Sequence, residues 1–341
     1  MDTRIPHPRA EGVNSGTFGR CFQLMELATG RVYAAKVIAR AQLATVGIAE
    51  RVERERELQS RLRHRHIVRL HGHFTDRSHV YLLLELCSRR SLAHILRARG
   101  RLTEPEVRYY LQQIISGLRY LHGQGIVHRD LKLSNFLVTE RMVVKIGDLG
   151  LARREAAGGR RWGALCGTPG HLAPEVLDRK GHGVPSDIWA LGCAVYTALT
   201  GSPPFEAAER QELYRRIRAA RYPPSPHLSP QARALIARLL APEPAARPSL
   251  EGVLDHGFFT QGFTPDTLPP RACHSVPVFL GHVPLCGLLR GSATALRRGW
   301  PCEGSPSLLS NGAASLAGPQ PRKHPLRKTF ISVRNRLKSS H

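Results

Sequence analysis

The chain has 341 residues, of which 42% are hydrophobic, enough to build the core of one large domain or of two modest ones. No stretch approaches 18 apolar residues and the first residues contain no apolar signal region, so the sequence predicts neither a membrane span nor secretion. The formal net charge of +24 favours acidic partners, and the seven scattered cysteines, which contain no C-x-x-C pair, are expected to be free thiols.

The first patterned stretch is a turn rich in small residues. It follows a short polar segment, residues 1–11, that we expect to be disordered. The turn begins at Asn14, contains Gly16 and Gly19, and leads into a strand-like segment at Cys21. Small residues let backbone N–H groups approach phosphates, but glycine-rich turns are common, so this turn alone is ambiguous.

A single lysine interrupts the apolar strand pattern of residues 32–38. Inside a strand, Lys36 needs an anionic partner, although a lysine at a strand edge can instead extend its charge into water. The charged segment 50–63 that follows predicts a helix, and its periodicity does not select which acid would be the partner. The candidates are Glu50, Glu53, Glu55 and Glu57.

Two further elements lead to the centre of the chain. Residues 79–87 are apolar and then abruptly mixed, which predicts a buried strand followed by a connection. Thr103, with Pro105 and Glu106 after it, has the pattern of a capping box, so a long helix is predicted to begin here. Apolar residues then recur at helical spacing as far as Leu121, which indicates one buried face.

The most specific stretch follows this helix, at residues 126–135. Asp130 and Asn135 stand five residues apart, with Lys132 between them. Phosphoryl transfer from ATP uses these residue types, because an Asp accepts the proton of the attacking hydroxyl, a Lys neutralises charge on the moving phosphate, and an Asn binds a metal ion. A His-Arg-Asp sequence alone could be a surface turn, whereas Asn135 at this offset makes the pattern specific.

Several later positions have the order expected of the same chemistry. Thirteen residues after Asn135, Asp148 stands between a short strand and a glycine, where a carboxylate can bind a metal ion. Glu175 closes the segment that Asp148 opens, and Asp187 begins a long apolar helix. For these two acids, as for Arg247 farther along the chain, ordinary surface charge is the alternative interpretation.

Together these motifs, in this order, resemble the eukaryotic Ser/Thr protein kinases over about residues 12–259. More narrowly, the chain is similar to the polo-like kinase family, and within that family to its divergent fifth member. The stretches that carry this likeness are residues 18–21, 84–92, 130–136 and 165–169. The resemblance implies an α+β, bilobal protein kinase fold with a β-rich N-lobe (12–86) and an α-helical C-lobe (88–259).

The resemblance also implies a catalytic apparatus that binds ATP and Mg²⁺ in the cleft between the lobes. Asp130 would be the catalytic base and Lys132 the residue that stabilises charge on the transferred phosphoryl group. Asn135 and Asp148 would be the ligands of Mg²⁺ and would also contact the nucleotide phosphates through it.

Alignment with kinase sequences selects Glu55 as the partner of Lys36, and this pair would anchor the phosphates of ATP. The same resemblance pairs Glu175 with Arg247 and assigns Asp187 to cap backbone donors of the catalytic loop. The remaining positions that it implies for nucleotide binding are Asn14, Gly16, Gly19, Cys21, Ala34, Glu85 and Cys87.

The chain departs from the kinase pattern at four positions. Asn14 stands at the first glycine of the loop, Cys21 at its valine, and Leu149 at the phenylalanine of Asp-Phe-Gly. Ala164 stands at the threonine whose phosphate, in most regulated kinases, pairs with the arginine of His-Arg-Asp. Since residues 148–167 contain no Ser, Thr or Tyr, we expect that phosphorylation does not switch this segment.

Two functions compete on this basis. The first is an ATP-dependent, polo-like protein serine/threonine kinase with low activity. The alternative is a pseudokinase or docking protein that keeps the kinase fold without efficient phosphoryl transfer. A third class, a specific nucleic-acid binder, has only the charge in its favour and lacks the aromatic or groove-reading motifs of that class.

After residue 259 the composition changes to Pro, Ser, Gly and Ala, and residues 260–341 are predicted to be a linker and a disordered, basic, low-complexity tail. No pattern of a polo box is visible, so the sequence is expected to be a truncated or short form. The resemblance further implies a role in the cell cycle, protein substrates with acidic residues around Ser or Thr, and a nuclear or cytoplasmic location. We expect a monomer with no specific nucleic-acid partner.

Overall fold

A computed structural model describes residues 20–26, 28–155 and 165–279. Its N-terminal part is a four-stranded antiparallel sheet in the order β1-β2-β4-β3. The strands are β1 (Arg20–Met25), β2 (Val32–Ala39), β3 (Leu70–Thr75) and β4 (His79–Glu85). The register places Lys36 between Cys21 and Leu82, so the lysine lies on a central strand rather than at an edge.

Two helices follow β2, the short α1 (Arg40–Leu43) and the longer α2 (Ile48–Arg61). One face of α2 is buried, and the charged remainder is partly or fully exposed, which accounts for its mixed composition. The buried residues are Val52, Glu55, Leu58 and Gln59. The helix predicted over residues 50–63 is confirmed with both ends two residues earlier, because Leu62 already has an extended backbone.

The remaining helices form the second lobe around a core of α4 and α6. They are α3 (Leu92–Arg99), α4 (Glu104–Gly123), α5 (Pro174–Leu177), α6 (Val184–Thr200), α7 (Arg210–Arg218), α8 (Pro230–Leu239), α9 (Leu250–Leu254) and α10 (Gly257–Thr260). The predicted capping box is confirmed, since Glu106 Oε2 accepts from the backbone N–H and the hydroxyl of Thr103 at 2.9 and 2.8 Å. Gly192 lets α6 approach α8, because a Cβ there would lie 2.8 Å from that of Leu239. This α+β architecture is the predicted one.

Two small two-stranded sheets flank the polar loop that follows α4. Strand β5 (Ile126–Val127) pairs with β8 (Arg153–Arg154), and β6 (Phe136–Val138) pairs with β7 (Val144–Ile146). The polar loop 128–135 is therefore held at both ends by strand pairing. Single 3₁₀ turns lie beside these strands and farther along the chain, at Leu133–Asn135, Leu149–Leu151, Pro169–His171, Pro244–Ala246 and Pro270–Cys273.

The chain stays packed against the helical lobe beyond residue 259, where the sequence analysis places the start of the linker. Leu268, Ala272 and Cys273 are buried, and Arg99 Nη1 donates to the carbonyl oxygen of Ala272 at 2.6 Å. Residues 268–273 are therefore a packed part of the lobe and not the linker that the sequence analysis predicts. Their apolar side chains are too few and too irregularly spaced to give a periodic pattern, so the sequence did not reveal this packing. The segments 1–11 and 280–341, predicted to be disordered, lie outside the described residues.

The cysteines in the described ranges are free, as predicted. They are Cys21, Cys87, Cys166, Cys193 and Cys273. None of the helices in those ranges is both long enough and apolar enough to cross a membrane.

Candidate active site

The lysine of strand β2 forms the ion pair that the resemblance implies. Lys36 Nζ lies 2.7 Å from Glu55 Oε2 on α2 and 3.1 Å from Asp148 Oδ1. Burial lowers the pKa of the Lys36 ammonium, but the two carboxylates raise it by more, so the lysine stays charged. Glu55 is buried on the face of α2 that contacts the sheet, whereas the other three candidates, Glu50, Glu53 and Glu57, are exposed.

A threonine of the activation segment connects the two residues expected to act on the substrate. Lys132 Nζ lies 2.9 Å from Asp130 Oδ2. The Thr168 hydroxyl donates to Asp130 Oδ1 at 2.7 Å and accepts from Lys132 Nζ at 2.9 Å. Both carboxylate oxygens of Asp130 are therefore engaged, and the position of Asp130 is fixed relative to the ammonium of Lys132.

The predicted metal ligands offer oxygen donors. Asn135 Nδ2 donates to the carbonyl oxygen of Asp130 at 2.8 Å and to Asp130 Oδ2 at 3.3 Å, so Oδ1 is the side-chain atom of Asn135 that can bind an ion. The N–H of Gly147 donates to the carbonyl oxygen of Asn135 at 2.9 Å, which brings the adjacent Asp148 next to it. Desolvation raises the pKa of Asp148, but the charge and hydrogen bond of Lys36, together with the charges of His128 and Lys132, lower it by more, so its carboxylate is ionised. An amide oxygen and a carboxylate suit Mg²⁺, so these residues fit the implied ion.

Asp187 anchors the catalytic loop from helix α6, as the resemblance implies. Its carboxylate accepts from the backbone N–H groups of His128 and Arg129, each at 2.9 Å. A third partner is His122 at the end of α4, whose Nε2 lies 2.9 Å from Asp187 Oδ2. The sequence analysis did not predict this contact. Arg129 has a φ of 68°, a backbone conformation that is unfavourable for a non-glycine residue. The two hydrogen bonds to Asp187 stabilise this conformation.

The guanidinium group of Arg129 is turned to the start of the activation segment. Arg129 Nε donates to the carbonyl oxygen of Leu151 at 2.7 Å.

Leu149, at the position of the usual phenylalanine, is fully buried, and a Cβ at the next residue, Gly150, would lie 3.4 Å from Glu55 Oε2. Leu149 therefore keeps the apolar packing expected of it. Ala164 lies outside the described residues, so the absence of a phosphorylation switch stays a prediction.

The second predicted ion pair closes the other end of this segment. Arg247 Nη1 and Nη2 donate to the two carboxylate oxygens of Glu175 at 2.7 and 2.8 Å, and both side chains are buried. The guanidinium also lies 5.0 Å from the ring centroid of Trp189 on α6. Surface charge, the alternative interpretation of Glu175 and Arg247, is therefore excluded.

The residues predicted to contact the nucleotide are only partly described. Ala34 lies two residues before Lys36 on β2 and so faces the same side of the sheet. The N–H of Glu85 donates to the carbonyl oxygen of Arg69 at 2.8 Å, so a base contact by Glu85 must use its carbonyl oxygen. Burial raises the pKa of the Cys87 thiol to about 12, which leaves it protonated. The glycine-loop positions Asn14, Gly16 and Gly19 lie outside the described residues, and Cys21 is the first nucleotide position that is described.

Sequence reasoning missed a second histidine, which lies beside the catalytic loop. His171 ends the 3₁₀ turn Pro169–His171, and its Nδ1 is buried without a hydrogen-bond partner among the described residues. Burial lowers its pKa to about 4, a shift modified by the opposing charges of Asp130 and Lys132. No spacing rule identifies His171, because its environment is created by residues about 40 positions earlier in the chain.

Comparison with known proteins gives a consistent result. Residues 9–259 match the family described as the protein kinase domain. The chain is 57% identical over 282 residues to the inactive serine/threonine-protein kinase PLK5 of Mus musculus, an alignment that covers 83% of this chain and 47% of that protein. It is 50% identical over 289 residues to the serine/threonine-protein kinase PLK2 of Mus musculus, covering 84% of this chain and 42% of that protein.

A third relative is the serine/threonine-protein kinase PLK1 of Xenopus laevis. The identity is 42% over 299 residues, which cover 87% of this chain and 50% of that protein. The chain thus spans about half the length of the curated relatives it matches. The similarity is greater to the mouse PLK5 than to the other two, in agreement with the predicted resemblance.

Proposed function

The chain belongs to the polo-like family of protein kinases, and we propose that it is an ATP-dependent protein serine/threonine kinase of low activity. The observation that carries this proposal is the contact set of Asp130, Lys132 and Thr168 beside the Lys36–Glu55 ion pair. Every charged group that phosphoryl transfer requires is present, and the described ones are already in contact with their partners.

In the proposed reaction, the oxygen of a substrate Ser or Thr hydroxyl forms a bond to the γ-phosphorus of ATP. The bond from that phosphorus to the leaving oxygen breaks, and ADP is released. Asp130 accepts the hydroxyl proton, and the ammonium of Lys132 stabilises negative charge on the transferred group. Lys36, held by Glu55, binds the phosphates of ATP. Mg²⁺ ions, held by Asn135 and Asp148, would neutralise the phosphate charge and orient the nucleotide.

Low activity follows from the activation segment. Residues 148–167 offer no hydroxyl for phosphorylation, and the guanidinium of Arg129 is bound to a backbone carbonyl rather than to a phosphate. The same observation favours the second candidate, a docking protein that binds nucleotide without transferring phosphate. The name of the mouse relative, an inactive kinase, also supports the second candidate. We favour weak transfer because Asp130, Lys132 and Asp148 are all retained.

We propose protein substrates with acidic residues around the acceptor Ser or Thr, since the net charge of +24 favours such sequences. The monomeric state and the nuclear or cytoplasmic location are proposals of the same kind, based on the resemblance alone.

The test is an ATP turnover assay with Mg²⁺ and a casein-like acidic protein, with Asp130→Asn as the matched control. Nucleotide affinity is measured separately by titration calorimetry. We expect slow transfer that the Asp130→Asn variant loses while it still binds ATP. Binding without transfer in the unmodified chain would favour the docking function, and equal transfer by both proteins would overturn the assignment of Asp130.

A further inference from the structure

A basic surface outside the catalytic cleft has no role in the proposed reaction. It lies at one end of the N-terminal sheet, where β2 and β3 begin and β4 ends, and it includes the turn before β2 and the segment that leads into β3. Its members are the exposed Arg31, Arg63, Arg65, Arg69 and His71 and the half-buried His64. We name this set the β3 basic surface. Among the described residues, none of its four guanidinium groups forms an ion pair with a carboxylate.

Two tyrosines contact members of this surface. The His71 ring lies 5.1 Å from that of Tyr33 on β2, two residues after Arg31. The His64 ring stacks on that of Tyr120, 4.9 Å between centroids, and the Tyr120 hydroxyl accepts from the N–H of Arg63 at 2.9 Å. The two tyrosines therefore fix both histidines in place.

The nearest acids do not neutralise the surface. Glu85 Oε2 lies 2.9 Å from Lys145 Nζ and accepts from the backbone N–H of Arg69 at 3.3 Å, so its charge is already matched by a lysine outside the set. Glu26, beside Tyr33, accepts from the Tyr33 hydroxyl at 3.3 Å. Four arginines and Lys145 thus face two carboxylates.

From this arrangement we propose that the β3 basic surface docks an extended acidic segment of a partner protein. Carboxylates of such a segment would pair with the guanidinium groups, and alternate side chains of an extended chain are about 7 Å apart, a spacing that lets one segment reach several cations. Arg31 precedes β2, and Arg69 and His71 stand at the start of β3, on the two sides of the end of β4, so one extended segment that crosses this end of the sheet can reach cations of both strands.

The occupant is a protein segment rather than a nucleic acid or this chain itself. The rings of Tyr33 and Tyr120 are half-buried and already packed against histidines, so they offer no open face on which a base could stack. Residues 280–341 contain a single acid, Glu303, and so cannot supply the acidic segment.

The histidines add a dependence on pH. Partial desolvation lowers the pKa of His71, and Arg69, Arg31 and Arg63 lower it further against the opposing effect of Glu85. Burial likewise lowers the pKa of His64, with Lys145 and Arg65 adding to the effect. Both rings are therefore neutral at pH 7 and gain protons when carboxylates arrive, so docking strengthens as the pH falls.

The experiment titrates the full chain into a fluorescently labelled peptide of alternating Glu and Ala and measures binding by fluorescence anisotropy. No ATP is present, so the outcome is independent of phosphoryl transfer. A peptide with Gln in place of Glu and a single-stranded oligonucleotide are the comparison probes. The variant Arg63→Gln/Arg69→Gln is compared with Arg97→Gln/Arg233→Gln, which removes the same charge from exposed sites elsewhere.

We expect the first variant to bind the acidic peptide about tenfold more weakly and the second to change its affinity by less than about twofold. The affinity of the unmodified chain should rise between pH 7 and pH 6, and His71→Gln should reduce that rise. An equal loss of peptide affinity in the two variants would show that only the net charge of the chain matters and would overturn the proposal. Tighter binding of the oligonucleotide, sensitive to Arg63 and Arg69, would replace it with a nucleic-acid surface.

Discussion

The hydroxyl of Thr168 donates a hydrogen bond of 2.7 Å to Asp130 Oδ1. Because the same hydroxyl accepts from Lys132 Nζ, the variant Thr168→Val should remove one hydrogen bond from each of these groups and leave their direct ion pair to hold them. We expect kcat to fall by about ten- to a hundredfold, the range of a charge-assisted hydrogen bond, with little change in melting temperature. Thr168→Ser keeps the hydroxyl and should keep most of the activity. Equal activity of the Val and Ser variants would show that this contact does not position the base.

The ion pair of Glu175 and Arg247 should matter for stability. Both side chains are buried, and Arg247 also donates to the carbonyl oxygens of Ala241, Pro185 and Pro242. Arg247→Met leaves a buried carboxylate without its partner and should lower the free energy of unfolding by about 3–5 kcal/mol, measured by urea denaturation. The control is a double-mutant cycle with Glu175→Gln. The losses should be clearly less than additive, and simple additivity would mean that the two charges do not interact.

The pH dependence of stability should reveal His171. Its pKa is lowered by burial to about 4 in the folded chain, against an ordinary value of about 6.5 when unfolded. Between these values the unfolded chain binds the proton and the folded chain does not, so the free energy of unfolding decreases as the pH falls. Between pH 7 and pH 5 this group should account for about 2 kcal/mol. In the His171→Phe variant, the free energy of unfolding should fall less over the same interval, by the contribution of this group. Identical pH profiles of stability for the two proteins would contradict the assignment.

The sequence allowed a good prediction of the fold and of the residues whose spacing is local, such as Asp130, Lys132 and Asn135. Glu55 could be selected only by alignment with kinase sequences. Helix α2 carries several acids, and periodicity does not show which of them pairs with Lys36, 19 residues earlier. His122 could not be predicted, since its role depends on the approach of α4 to Asp187, 65 residues later. These contacts arise from tertiary packing, which hydrophobic periodicity does not encode.

Two truncations near the end of the described chain should differ in melting temperature, because residues there pack against the helical lobe. A chain that ends at Phe279 keeps the buried Leu268, Ala272 and Cys273, whereas a chain that ends at Asp266 loses them. The first should have nearly the melting temperature of the full chain, because the composition of residues 280–341 cannot support a core. The second should melt about 5 °C lower or more, since it loses buried apolar surface and the acceptor of Arg99 Nη1. Equal melting temperatures for the two truncations would show that residues 267–279 add no stability.

The arginine of the catalytic loop provides the last prediction. Burial lowers the pKa of the Arg129 guanidinium, and the positive charges of Arg153 and Arg54 lower it further against the opposing effects of Cys166 and Asp187, so an added anion would stabilise the charged form. No hydroxyl between residues 148 and 167 can receive a phosphate, so phosphatase treatment should leave the activity of the chain unchanged.

Ala164→Asp would supply a permanent negative charge at the position that alignment equates with the phosphorylated threonine. We expect it to raise kcat/KM by about three- to tenfold, because a carboxylate can pair with Arg129, as a phosphate does in regulated kinases. The control Ala164→Asn has the same shape without the charge and should leave kcat/KM at the level of the unmodified chain. An equal gain in both variants would attribute the effect to side-chain size, and a loss of activity after phosphatase treatment would reveal a phosphorylated switch elsewhere in the chain.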